Sequence, residues 1–358
     1  MSQPSFTGPT ESPAASAGPV RMHPHRSGTS QTPPPADPTP LGGGGALPRR
    51  RRFGMEAGFR GMVTASGLFV LVVIIAIGAF LIAKAIPALH ADKANFFTYA
   101  YWTPDNINDP MFGIAAIAVG TLLTSFIAVI LAVPVAICIA LCLTHYAPSK
   151  LAAILGFAID LLAAVPSIVY GLWGRDYLVN PIRSLSTWLH TYFGWIPIFG
   201  SDGPYGKSIL LGSLVLAIMI LPIVTALSRD VFIQTPPTNQ EAALALGATK
   251  WEMIRVAVLP FSRPGLIAAT MLGLGRALGE TMALALTLGS TFNVSLDVLG
   301  NGGNTIAANI VHQFGESNTV GRGALIASGL LLFAITLVVN MAARAIIYRR
   351  REFREAGV

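Results

Sequence analysis

The chain has 358 residues, of which 53% are hydrophobic and only 11% are charged, and its formal net charge is +7. So few polar side chains cannot cover the surface of a soluble protein of this length. The composition therefore excludes a soluble globular enzyme and indicates a polytopic membrane protein. We interpret the positive balance as a topology signal rather than as a nucleic-acid surface.

The N-terminal segment, residues 1–48, is dominated by Pro, Ser, Thr and Gly and holds few large apolar residues. This composition predicts a disordered tail. Four arginines at 49–52 then precede the first long apolar run. Because that run is longer than the apolar part of a signal peptide, we interpret residues 49–112 as a retained first transmembrane helix and its outer loop. The arginines could also bind lipid headgroups, although an orientation signal is the simpler interpretation.

Six apolar runs are long enough to cross the bilayer core, which takes about 20 helical residues. The overlong second run contains Pro134, which predicts a tilt or a kink. The sequence therefore predicts an all-α membrane protein with six transmembrane helices. The runs lie near residues 62–86, 114–143, 151–173, 209–227, 266–288 and 324–347.

The third run combines Pro166 with Ser167 and Gly171, which predicts a kinked or broken helix because proline removes a backbone hydrogen bond. Freed amides near Ser167 could face an anion, whereas a packing kink is the simpler alternative. Asp160 lies in the same run. An acid within a span is a candidate for a substrate pathway or for pairing with an intramembrane arginine, here Arg276.

Lys and Arg are distributed unevenly between alternate loops. Fifteen lie on one side of the six runs and 6 on the other, when Arg276 and the distal-tail Arg21 and Arg26 are set aside. The positive-inside rule then places both termini in the cytoplasm, including the basic tail 349–358. The same bias places the mixed-charge loop 238–260, between the fourth and fifth runs, on the cytoplasmic side.

The loop 238–260 carries two potential capping boxes, Thr238 with Glu241 and Thr249 with Glu252, in which a hydroxyl and a carboxylate satisfy free helix amides. Gly247 lies between them and predicts a left-handed stop after the first helix. We therefore expect two short helices at this cytoplasmic surface.

This loop resembles the EAA loop of ABC-importer permeases, in which Glu-Ala-Ala is followed by Gly and then by Leu-Pro at fixed spacing. Ala257 stands where that pattern has Ile. The resemblance implies an ABC-importer permease fold for residues 113–348 and a loop that fits a cleft on a cytoplasmic ATPase subunit. The matching residues, which become the candidate ATPase-coupling set, are Glu241, Ala242, Ala243, Gly247, Leu259 and Pro260.

The fifth run contains Arg276 and Glu280, four residues apart and so on one face of a continuous helix. A charged side chain near the centre of a bilayer costs roughly 2.5–3.5 kcal/mol on insertion scales, so such residues usually face protein or water. Arg276 could offer its planar donors to a passing oxyanion, with Glu280 orienting it. Alternatively, the two form a structural ion pair that touches no substrate.

The segment around these charges, MLGLGRALGETM, resembles the corresponding span of bacterial phosphate-importer permeases of the PstC type, and so does LLAAVPSIVYGLWG at 161–174. Arg229 and Asp230 open a stretch similar to that family's approach to the EAA loop. The resemblance covers most of residues 113–348 and favours Arg276, Glu280, Asp160 and Ser167 as substrate-pathway residues. Arg175 departs from the family pattern by ending the apolar run early.

The resemblance implies a transport subunit of a bacterial cytoplasmic membrane that performs no chemistry itself. Its expected partners are phosphate, a second homologous permease, a pair of ATPase subunits and an extracytoplasmic phosphate-binding protein. Another oxyanion, such as sulfate or molybdate, stays open because Arg276 alone does not encode the anion. An ion-driven secondary transporter is the alternative of a different class, although no inverted repeat indicates it.

No cofactor or metal is expected. Cys138 and Cys142 have neither the number nor the spacing of a metal site or a disulfide framework, and the histidines are scattered.

Overall fold

The computed structural model describes residues 53–106 and 108–355, and the side chains from 58 to 345 apart from that of residue 107. The expected tail 1–48 lies outside the described residues. The chain divides into two units, Met1–Met62 and Val63–Val358.

Helices make up almost all of the regular structure in the described residues. They are α1 Phe53–Ala91, α2 Ala115–Leu141, α3 Ser149–Ala163, α4 Ser167–Trp173, α5 Val179–Phe193, α6 Ile209–Ile233, α7 Pro237–Ala245, α8 Lys250–Met253, α9 Leu259–Leu278, α10 Met282–Thr287, α11 Ile306–Gln313 and α12 Thr319–Glu355. Strands β1 Trp102–Thr103 and β2 Met111–Phe112 form a small antiparallel hairpin. The all-α prediction is confirmed.

Five helical segments of the described chain are long and apolar enough to cross a membrane. A sixth crossing is possible if the bent pair Ser149–Ala163 and Ser167–Phe193 forms one span. The predicted number of six therefore depends on that pair. The basic tail predicted at 349–358 overlaps the backbone of α12, which continues to Glu355.

The centre of the second unit is the packing of α2 against α6. Ala128, Ala132, Ala136 and Ala140 recur every four residues along α2 and are fully or almost fully buried. Small side chains at this spacing let a second helix approach closely, which matters in lipid because association there depends on van der Waals contact. Toward the N-terminal end of α2, Thr121 Oγ1 accepts a hydrogen bond from the Ile306 amide at 3.0 Å, which ties α11 to this centre.

The third predicted span is broken rather than merely kinked. Helix α3 ends at Ala163, α4 begins at Ser167, and the two arms meet at 90°. Pro166 causes the break because it donates no amide hydrogen and disfavours helical backbone at the residue before it. The third apolar run ends near residue 173, whereas the helical path continues through a π-helical turn at Gly174–Leu178 and then through α5.

The fifth predicted span also ends differently from the expectation. The helical path begins at Lys250 and ends at Leu278, and α10 is a separate short helix. The apolar run resumes at Met282, directly after Gly279, Glu280 and Thr281, so hydropathy averaged over the run did not predict the break. This change of path decides where Arg276 and Glu280 lie.

Candidate functional site

The loop between α6 and α9 folds as two short helices joined at Gly247. Gly247 has a φ of +85°, a left-handed conformation that ends α7 and that side chains with a Cβ rarely adopt. The predicted box at the start of α8 is formed, because the Thr249 amide donates to Glu252 Oε2 at 2.8 Å and the Glu252 amide donates to Thr249 Oγ1 at 3.3 Å. Both features confirm the sequence expectation.

The first predicted capping box, of Thr238 with Glu241, is not formed. Helix α7 begins at Pro237 and its N-cap residue is Pro236, which leaves the cap without a side-chain hydrogen bond. Thr238 is therefore already inside the first turn, where its hydroxyl is not at a capping position. Proline at the first helical position is itself favourable, because the amide it lacks would have had no helical partner.

One side of this loop packs against α2 and α6, whereas the other side is exposed. Met253, Ile254 and Val258 are buried with Phe232 of α6 and Leu141 of α2. By contrast, the side chain of Leu246 at the turn is 90% exposed, and those of Leu244, Trp251 and Val256 are exposed as well. We define these four exposed apolar residues as the loop patch. Exposed apolar side chains on a loop of mixed charge are suited to a contact with another protein.

The six candidate coupling residues are divided between these two sides. Glu241, Ala242 and Gly247 are exposed near the loop patch, whereas Ala243 is half-buried against the packed cluster. Leu259 and Pro260 are half-buried at the start of α9. A displacement of the exposed side of the loop could therefore be transmitted to α9 through the buried residues Met253, Ile254 and Val258.

Arg276 lies in the last turn of α9, where its side chain is exposed and lines a cavity of about 960 Å³. Within the described chain, its guanidinium forms no ion pair and no hydrogen bond. Arg276 therefore keeps its donors available in this cavity.

Glu280 does not pair with Arg276, so the alternative of a structural ion pair between the two is not observed in the described chain. The helix has ended at Leu278, and the Glu280 side chain turns toward α10, where Oε1 accepts a hydrogen bond from the Ala283 amide at 3.1 Å. The residue is buried, with 7% exposure. Its carboxylate thus satisfies a free amide at the start of the next helix.

The two breaks lie next to each other. A Cβ added at Gly171 of α4 would lie 2.8 Å from Cα of Ala283 in α10, so this glycine permits close backbone contact between the two short helices. Ser167 is the first residue of α4 and is half-buried. Tyr170 donates from its hydroxyl to the Leu162 carbonyl at 2.9 Å and so satisfies one acceptor that the break exposes.

Asp160 lies beside Arg229 rather than Arg276, so the alternative in which it pairs with Arg276 is not observed. Arg229 Nη2 is 3.5 Å from Asp160 Oδ2 and its Nε is 3.6 Å from Asp230 Oδ1. A Cβ added at Gly156 would lie only 2.6 Å from Arg229 Nη1, so the guanidinium passes over this glycine to reach α3. Asp160 therefore links α3 to the end of α6 and is not among the residues that line the cavity with Arg276.

Two cavity residues were missed by the sequence reasoning. Asn340 and Arg344 of α12 line the same cavity as Arg276. Arg344 is one of the 15 Lys and Arg residues that were counted for the positive-inside bias. A signal was present, because the two polar residues lie four positions apart, and so on one face, in an otherwise apolar stretch.

Known proteins resemble this chain over most of its length. Residues 119–352 match the family model described as "Binding-protein-dependent transport system inner membrane component". A "Phosphate transport system permease protein PstC 2" of Mycobacterium tuberculosis is 44% identical over 80% of this chain and 90% of its own length. A PstC protein of Mycobacterium leprae is 45% identical over 75% and 85%, and one of Xylella fastidiosa is 38% identical over 81% and 90%.

Proposed function

We propose, from the premise that this chain belongs to the PstC family of ABC-transporter permeases, that it carries inorganic phosphate across the bacterial cytoplasmic membrane into the cell. It is a permease component and not an enzyme. Family membership also removes the secondary transporter from the alternatives. Phosphate is the substrate that the names of the relatives carry.

Among this chain's own residues, Arg276 gives the main support for the proposed phosphate transport. A guanidinium without a carboxylate partner in the described chain, placed on the wall of an open cavity, is suited to bind an oxyanion through two parallel hydrogen bonds. Glu280 supports it by fixing the start of α10, and Ser167 lies at the neighbouring break. Asp160 holds α3 and α6 together through Arg229, so its contribution to the pathway is indirect.

The loop 238–260 is proposed to couple transport to ATP hydrolysis. The loop patch would bury its apolar side chains in a cleft of an ATPase subunit, and Glu241 would contribute polar contacts at the rim. Because the packed side of the loop leads into α9, movement of the ATPase would displace the helix that carries Arg276. A pair of ATPase subunits, a second homologous permease and an extracytoplasmic phosphate-binding protein complete the proposed complex.

In the proposed topology both termini and the loop 238–260 face the cytoplasm. The uneven distribution of Lys and Arg, 15 against 6, supports this orientation. The hairpin β1–β2, the segment between α5 and α6, and the segment between α10 and α11 then face outward, where the phosphate-binding protein would deliver its ligand.

Uptake by the reconstituted complex tests the proposed function. The permease would be co-expressed with the ATPase, the second permease and the binding protein that neighbouring genes encode. The complex would then be placed in proteoliposomes that contain ATP. We expect uptake of radiolabelled phosphate that needs both ATP and the binding protein. Sulfate and molybdate supplied with the same complex are the comparison, and transport of either anion in place of phosphate would reassign the substrate.

A further inference from the structure

The cavity lined by Arg276 has a second cationic end. On α9, its wall includes Ala268, Leu272 and Arg276, and on α12 it includes Asn340 and Arg344. Each set recurs at a spacing of about one helical turn, so each forms a stripe along one helix face. The cavity therefore follows the contact between two helices, and its charged groups lie at intervals along it.

Arg276 and Arg344 lie toward opposite ends of this cavity in the proposed topology. There α9 and α12 run in opposite directions, which places Arg344 near the level of Ala268 and Arg276 near that of Leu337. By the rise of a helix, Arg344 lies about 10 Å along α12 from Leu337, and Ala268 lies about 12 Å along α9 from Arg276. Arg344 is then nearer the cytoplasm, five positions before the arginine run at 349–351.

The electrostatics of the cavity favour an anion at both ends. Neither guanidinium has a carboxylate within ion-pair distance among the described residues, and no acidic side chain belongs to the described lining. Two like charges that line one cavity repel each other, and an anion moving between them lowers that cost. The Asn340 amide, one turn before Arg344, adds a donor to phosphate oxygens and an acceptor for the hydroxyl of hydrogen phosphate.

We propose that Asn340 and Arg344 form a second, cytoplasmic-side phosphate site, which receives the anion released from Arg276. This inference rests on the proposed function and adds a step to it. The anion first leaves the planar donors of Arg276 and then meets Arg344 and Asn340 before it reaches the cytoplasm. Successive weak sites of this kind let an anion move on, whereas one tight site would hold it.

Arg344 could alternatively act as an orientation signal or contact lipid headgroups. Moving the charge along α12 distinguishes these roles from the proposed phosphate site. In the variant Arg344→Ala, Ala342→Arg, the arginine lies two positions earlier, about 200° around the helix, and so leaves the cavity wall while staying close to the same membrane depth. This variant keeps the number of charges and serves as the matched control for Arg344→Gln.

The test measures phosphate uptake and ATP hydrolysis together in proteoliposomes that contain the whole complex. We expect Arg344→Gln to lower phosphate uptake about tenfold, the effect of losing one charge-assisted hydrogen bond, with more ATP hydrolysed per phosphate moved. The relocated arginine should not restore uptake. Normal uptake in Arg344→Gln, or restoration by the relocated arginine, overturns the second site.

Two further outcomes are decisive. If Arg344→Gln does not insert, the relocated variant decides alone, since it keeps the charge: low uptake supports the site and normal uptake overturns it. If the wild-type complex takes up no phosphate, the proposed function itself fails. Uptake by the wild type together with full uptake by Arg344→Gln removes only this inference.

Discussion

Glu280 accepts a hydrogen bond from the Ala283 amide at 3.1 Å through Oε1, and this contact fixes the start of α10 directly after α9 has ended. The carboxylate is thereby committed to the backbone of its own chain. Arg276, four residues earlier, is left without that carboxylate and faces the cavity. One local capping contact therefore separates two charges that a continuous helix would have placed side by side.

Removing this cap should destabilise the permease. We expect Glu280→Ala to cost about 0.5–2 kcal/mol, because the Ala283 amide is buried and loses its acceptor. Glu280→Gln keeps a carbonyl oxygen at the same place and should be milder. Thermal unfolding of the purified permease in detergent measures both, and an Ala variant as stable as the wild type would show that the contact contributes little.

The sequence predicted the long helices well because a span must bury about 20 apolar residues and satisfy its backbone internally. It did not predict the end of α9, since the apolar run resumes at Met282 after only Gly279, Glu280 and Thr281. The turn at Gly247 and the box at Thr249 were predictable because both depend on neighbouring residues alone.

Contacts between residues that are far apart in the sequence were harder to predict. The contact of Asp160 with Arg229 joins residues 69 positions apart, and spacing along one helix contains no information about it. The same limit applies to the cavity, which brings Arg344 of α12 to the wall that Arg276 of α9 also lines. Sequence patterns identified the unusual charges, whereas packing decided which of them share a space.

The loop patch should be needed for binding of the ATPase. Leu246 is 90% exposed at the turn and packs against little of its own chain, so Leu246→Ser should leave folding intact while weakening co-purification of the ATPase and lowering uptake. Leu296→Ser is the matched control, because Leu296 is also exposed and lies in the segment between α10 and α11. Equal loss in both variants, or none in either, would contradict a specific role for this patch.

The left-handed turn should tolerate only certain residues. We expect Gly247→Val to cost about 1–2 kcal/mol at a φ of +85° and to displace α7 from α8. Gly247→Asn should be better tolerated, since asparagine adopts this conformation more readily. ATPase co-purification and ATP-driven uptake should fall in the Val variant and largely persist in the Asn variant. Two variants with the same activity would remove the conformational explanation.

The topology can be tested by labelling single cysteines. In a variant with Cys138 and Cys142 replaced by serine, Thr249→Cys should react with an impermeant thiol reagent only after the membrane is opened, because the charge bias places this loop inside. Asp202→Cys, in the segment before α6 with a strongly exposed side chain, should react in intact cells. Labelling of Thr249→Cys from outside would reverse the orientation.

The last prediction concerns Arg276 itself. Because its guanidinium forms no ion pair in the described chain, Arg276→Met should remove no internal salt bridge, and the permease should assemble at normal abundance. If Arg276 binds the anion, phosphate uptake should nevertheless fall by at least about a hundredfold, and Arg276→Lys should also lose much activity, since an ammonium cannot reproduce the planar pair of donors. Leu272→Met, a change of similar size in the same cavity wall, is the control and should stay near the wild-type rate. Near-normal uptake by Arg276→Met would remove Arg276 from the pathway and leave the end of α9 as a packing element.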